Sequence, residues 1–181
     1  MVLNIIAALW GLSEATLFFV VSEILLSWIA LESRKKAYIA CVWSLAGALV
    51  GGSLMYLWGL LNPEQAIAAL DYVPAISPQM IQTAQSDLKQ KGIWSIVAGI
   101  GSDWGVPYKI YAVQSANSGI SYIAFILVSI PARFGKFILV STFFGYLSNP
   151  VLKNWSIRKK RILHIAIWIA IYGMYFSLKS N

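Results

Sequence analysis

The sequence predicts an all-α integral membrane protein. Two opposed re-entrant helical hairpins are each followed by a transmembrane helix, and a further transmembrane helix lies at the C-terminal end. Three observations lead there. The 181 residues are 59% hydrophobic and 12% charged, with a mean hydropathy of +0.69, whereas soluble domains are about 25% charged. Four apolar stretches, residues 2–31, 37–61, 92–147 and 162–178, are long enough for a hydrocarbon core that takes about 20 helical residues to cross. Inside them lie six ionisable residues: Glu14, Glu23, Asp103, Lys109, Arg133 and Lys136. A charge at the bilayer centre costs about 2.5–3.5 kcal/mol on insertion scales. These six are therefore expected to pair, to reach water or to act on a substrate.

The first stretch is long for one crossing and carries Glu14 and Glu23, nine residues apart. At about 100° per residue the two acids face opposite sides of a straight helix. A hairpin brings them to one place; a single tilted span is the competing reading. No basic segment precedes the apolar run, and Glu14 interrupts it, so a cleaved signal peptide is not expected.

Residues 37–61 follow the basic cluster Arg34, Lys35 and Lys36. A second cluster contains Lys153, Arg158, Lys159, Lys160 and Arg161. The excess of basic residues in cytoplasmic loops places both inside, so 37–61 crosses outward. Gly47 with Gly51, and Ala48 with Gly52, put small residues four apart, which lets another helix approach closely. Gly51 and Gly52 also leave room for a hairpin tip or a lipid tail.

Residues 62–91 read as two short helices on the outer membrane surface. Asn62-Pro63-Glu64 and Ser77-Pro78 are cap-then-proline starts. Met80, Ile81, Ala84 and Leu88 then recur at helical spacing among polar residues. The 56 residues of 92–147 must make a net inward crossing, yet they are nearly three times the length it needs. A hairpin and then one helix satisfies both length and direction. The break is expected within 99–107, where three glycines and Pro107 disrupt helix. Hairpin plus helix, repeated with opposite topology, is a construction associated with transporters. The chain is thus one membrane domain: 1–61, a surface segment 62–91, 92–148, and a basic loop with the last helix, 149–181.

Cys41 and His164 are the sole cysteine and histidine. They allow no internal disulfide and are too few for a Cys/His metal site. Cys41 is expected to pack as a small apolar residue, and His164 to lie at the interface. No cofactor is expected. The net charge of +7 sits at membrane ends, which argues against nucleic acid as a partner. A lipid phosphatase or transferase needs a nucleophile and a base. Ser102 beside Asp103 is the one local candidate, without a histidine near it in sequence, so an enzyme is not expected.

Glu14 to Glu23 with eight residues between the acids, the Gly-rich run from Gly47 to Tyr56, Val106-Pro107-Tyr108-Lys109 with the small residues after it, and Pro131-Ala132-Arg133 opening a helix form four segments. Together they resemble the DedA superfamily, also called the VTT or SNARE-associated membrane protein family, and its YqaA-like branch in particular. Many members carry Arg-x-x-Pro-x-x-Arg; here Trp104 and Ile110 flank Pro107, so Lys109 and Arg133 are expected to supply the positive charge.

The resemblance implies proton-coupled translocation of an anionic lipid, such as undecaprenyl phosphate or a phospholipid, in a bacterial inner membrane. Protons and the bilayer are the other partners, and a homo-oligomer is compatible with it. Lys109 and Arg133, with Pro107 and Gly105, would bind the headgroup. Glu14, Asp103 and Glu23 would respond to protons. Lys136 is expected to snorkel toward the inner interface. An assembly or scaffold protein with structural buried charges is the alternative.

Overall fold

The computed structural model describes residues 1–74, 76–98 and 106–179. Among these every element is helical. In chain order they are α1 (Val2–Ala15), α2 (Glu23–Glu32), α3 (Arg34–Leu61), α4 (Pro63–Asp71) and α5 (Pro78–Lys91). A 3-10 turn (Gly92–Trp94) leads into α6 (Ser95–Ala98); α7 (Tyr108–Asn117), α8 (Tyr122–Tyr146) and α9 (Ile157–Lys179) follow. A π-helical turn, Leu147–Val151, extends α8.

α3 and the α8 segment Tyr122–Val151 are long and apolar enough to cross a membrane. At 1.5 Å per residue, α3 is about 42 Å long, more than a hydrocarbon core of about 30 Å. Both helices turn large apolar side chains outward: Val42, Trp43, Val50 and Leu54 from α3, and Ile123, Leu127, Leu139 and Phe143 from α8. Soluble monomers rarely expose apolar patches beyond a few hundred Å², so these faces read as lipid-facing. α9 contains the apolar segment expected at 162–178.

Residues 2–31 form two helices and not one tilted span. α1 stops at Ala15, and α2 starts at Glu23. Side chains take over the backbone groups that the break releases. The Thr16 hydroxyl folds back onto the Leu12 and Ser13 carbonyls. The Trp10 indole N–H donates to the Val20 carbonyl at 3.1 Å, and the Val21 N–H donates to the Tyr172 hydroxyl at 3.0 Å.

α3 is the central post. α8 runs antiparallel to it: Ser53 meets Tyr122 at 2.8 Å, while Cys41 meets Ser141 at 3.3 Å and Tyr38 meets Thr142 at 3.0 Å. α7 runs parallel to it, with Tyr108 against Gly52 and Val113 against Gly59. Gly47 backs onto the Ala8 carbonyl of α1, and a Cβ at Gly51 would come within 2.6 Å of the Leu12 carbonyl and 2.9 Å of the Ala15 Cβ. The end of α1 and the start of α7 therefore meet neighbouring glycines near the middle of α3.

Three local expectations differ. The Asn62 and Ser77 side chains form no cap bond; proline at the first helical position and the backbone bond from Ala66 N–H to the Asn62 carbonyl start α4 instead. Arg133 lies mid-helix: α8 begins at Tyr122, its Ser121 cap accepting the Ala124 N–H, and runs straight through Pro131. Proline removes one backbone hydrogen bond, a loss tolerated in apolar helices whose surroundings satisfy the freed carbonyl. His164 is 2% exposed, not interfacial, because Trp28, Phe144 and Trp168 ring it and Ser27 Oγ lies 2.7 Å from its Nε2.

Gly47→Leu should force α1 off α3 and cost at least the roughly 1–3 kcal/mol of an overpacked core. Gly173→Leu, with nothing within 4 Å of the added Cβ, should be near neutral. Thermal unfolding in detergent micelles measures both; equal melting temperatures would contradict this packing.

Candidate functional site

Five ionisable side chains gather where the break between α1 and α2 meets α7 and α8. Glu14 ends α1, Glu23 opens α2, Lys109 is the second residue of α7, and Arg133 and Lys136 lie one turn apart on α8. Four of them are almost fully buried: Glu14 is 7% exposed, Glu23 1%, Lys109 4% and Arg133 5%. Isolated charges do not survive such burial, so each must have a partner.

Glu14 and Arg133 form a closed, hydrogen-bonded ion pair between Oε2 and Nη2. The Ser22 hydroxyl, buried on the far side of the break, also donates to Glu14 Oε2 at 3.1 Å. The Arg133 guanidinium sits 5.1 Å from the Tyr108 ring centre and 4.8 Å from that of Phe137. Aromatic faces at these distances stabilise a cation by their quadrupoles. Tyr108 is itself fixed by donating to Ser129 Oγ at 2.9 Å. Arg133 Nε has no hydrogen-bond partner.

Glu23 is held differently. Lys136 Nζ lies 3.0 Å from Glu23 Oε1, yet neither carboxylate oxygen has a hydrogen bond of good geometry. The attraction is charge without alignment. Lys136 thus points inward to an acid and does not snorkel away, because the buried Glu23 carboxylate is the nearer stabilisation. Its side chain keeps 38% of its surface exposed.

Lys109 has no carboxylate within ion-pair distance among the described residues. Its ammonium donates to the Phe18 carbonyl at 2.6 Å. Lys109 thereby ties α7 to the break in the first stretch. Pro107 caps α7, and its carbonyl accepts the Ile110 N–H at 2.9 Å, so it contributes the helix start that positions Lys109. Asp103 and Gly105 lie outside the described residues. Gly47, Gly51 and Gly52 sit at the contacts of α3 with α1 and α7. Among the described residues no three His, Cys, Asp or Glu side chains gather to hold a metal.

Sequence reasoning missed Trp10, Ser22, Tyr108 and Tyr172, and it set Lys136 aside. The spacing of Lys136 three residues after Arg133 was a usable signal, since i and i+3 share a helix face. Tyr172 carried none: it acts on Val21 from 151 residues away.

Removing either member of the Glu14–Arg133 pair leaves a buried charge alone and should cost about 3–5 kcal/mol. The double variant Glu14→Leu with Arg133→Met should regain much of that. A double-mutant cycle on detergent-solubilised protein reads the coupling; additive losses would contradict a direct pair.

No protein-family model, characterised protein or solved structure matches this chain.

Proposed function

We propose that this protein is a membrane transporter of the DedA type, moving an anionic lipid across a bacterial inner membrane in a proton-coupled cycle. One observation carries the reading: two acids and three cations assemble where a broken apolar helix meets the middle of a membrane-length helix. Irregular backbone at membrane depth is tolerated where protein buries it or it lines a wet cavity. Charges in the same place mark ion or substrate paths by default.

In this reading α1 and α2 form the first re-entrant hairpin, and α3 crosses. α6 and α7 form the second, entering from the other side, and α8 crosses back. The antiparallel run of α3 and α8 supports the inversion. α4 and α5 lie on the outer surface, and α9 is the last crossing.

The chemistry follows from the pairs. Glu14 occupies Arg133 while it is ionised. Protonating Glu14 removes that counter-ion and frees the guanidinium for a phosphate, which it grips through paired N–H groups. Lys109 is the second phosphate partner; Glu23, and Asp103 by its sequence position, are further proton-responsive acids. The lipid's return to the other face would follow re-ionisation of Glu14. A scaffold reading has one observation in its favour: the Glu14–Arg133 pair is closed and hydrogen-bonded, as a purely structural bridge would be.

The test is lipid flipping in reconstituted vesicles with a fluorescent phosphate-bearing lipid and an imposed pH gradient. Wild-type protein should flip it, and Glu14→Gln and Lys109→Gln should each slow it by about tenfold or more, the worth of one charge-assisted hydrogen bond. Folded variants that flip at the wild-type rate would make these charges structural and overturn the site; no flipping by wild-type protein would leave only the scaffold reading.

A further inference from the structure

We propose that Lys136 is the port of the site: the cation that an anionic lipid headgroup meets first, exchanging it for Glu23. This deepens the reading of the preceding subsection and rests on it. Arg133 and Lys109 are 5% and 4% exposed, so a headgroup arriving along the bilayer cannot touch either without rearrangement. Lys136 is different, with 38% of its side chain open while its ammonium reaches a carboxylate that is 1% exposed. It is the cation of the cluster that spans from the protein surface to the buried acids.

The bond it would have to release is the weaker of the two ion pairs by geometry. Glu14 and Arg133 are hydrogen-bonded and sealed by Ser22, Tyr108 and Phe137. Glu23 and Lys136 are close at 3.0 Å, but both Glu23 oxygens lack an aligned donor. A phosphate offers more acceptor oxygens to an ammonium than a misaligned carboxylate does.

There is also room for it. Gly135, the neighbour of Lys136, is exposed, and a Cβ there would meet nothing within 4 Å. α8 is therefore bare on its outer surface at the residue before Lys136. One turn back, Arg133 Nε is buried and unpartnered, a donor held behind the port. The occupant is the phosphate of an anionic lipid, approaching α8 from the bilayer.

Detergent-solubilised full-length protein, mixed with phosphatidic acid or with phosphatidylcholine, is treated with an amine-reactive reagent, and labelling at Lys136 is read by mass spectrometry. Phosphatidic acid should slow labelling of Lys136 about tenfold, while phosphatidylcholine should not. The exposed Lys153, in the basic cluster, reports the general attraction of an anionic lipid to surface cations and should be protected by phosphatidic acid much less than Lys136 is. Gly135→Leu, which fills the bare patch and keeps every charge, should abolish the selective protection. Equal protection by both lipids, or protection by neither, overturns the proposal, as does an undiminished effect in Gly135→Leu. In vesicles, Lys136→Gln should slow flipping of the phosphate lipid about tenfold and Lys136→Arg should restore most of it. A wild-type rate in Lys136→Gln overturns the port. Selective protection without any wild-type flipping would keep the headgroup site and defeat transport.

Discussion

A helix that stops among apolar side chains releases N–H and C=O groups that lipid cannot satisfy, each costing several kcal/mol if left bare. The rest of this structure depends on how that cost is met between Ala15 and Glu23. Trp10 takes the Val20 carbonyl, Lys109 takes the Phe18 carbonyl, and Tyr172 receives the Val21 N–H. These three side chains come from α1, α7 and α9. The break therefore joins the chain's ends and its middle.

The charges fit the same scheme. Ending α1 at Ala15 puts Glu14 at a helix terminus, beside the Ser22 hydroxyl from the other side of the break. Arg133 then reaches it from the interior of α8. Gly51 and Gly52 make that meeting possible: they let α1 and the Tyr108 ring press against α3 at one level. Any side chain there would hold α1 and Tyr108 away from α3. Small residues, broken helices and buried charges thus form one device. One part of it, the half-exposed Lys136 over a poorly bonded Glu23, is held less tightly than the others.

Much of this was legible in the sequence. Length and hydropathy located α3 and the long apolar part of α8. The cap-then-proline pairs located α4 and α5, although the caps themselves did not form. The opposite phases of Glu14 and Glu23 argued for a break between them, which the structure contains without any proline. What periodicity could not supply was pairing. Lys109 bonds the Phe18 carbonyl, an acceptor that the break creates and no sequence pattern displays. The resemblance put Arg133 at a helix start, whereas α8 begins at Tyr122 and continues through Pro131. His164 looked interfacial by its flanks; only the packing of α9 on α2 shows it enclosed by aromatic rings.

The proposed re-entrant hairpin requires the turn between α1 and α2 to lie inside the bilayer and not at its surface. Spin-label depth tests it directly. With Cys41→Ser as background, a label at Phe19→Cys, whose side chain is partly exposed at the turn, is compared in vesicles for collisions with lipid-soluble oxygen and with a water-soluble nickel complex. A turn inside the bilayer should give oxygen access as high as at an outward-facing α3 position such as Leu54, with little nickel access. Nickel access equal to that of a label at Asn62, beyond the end of α3, would contradict it.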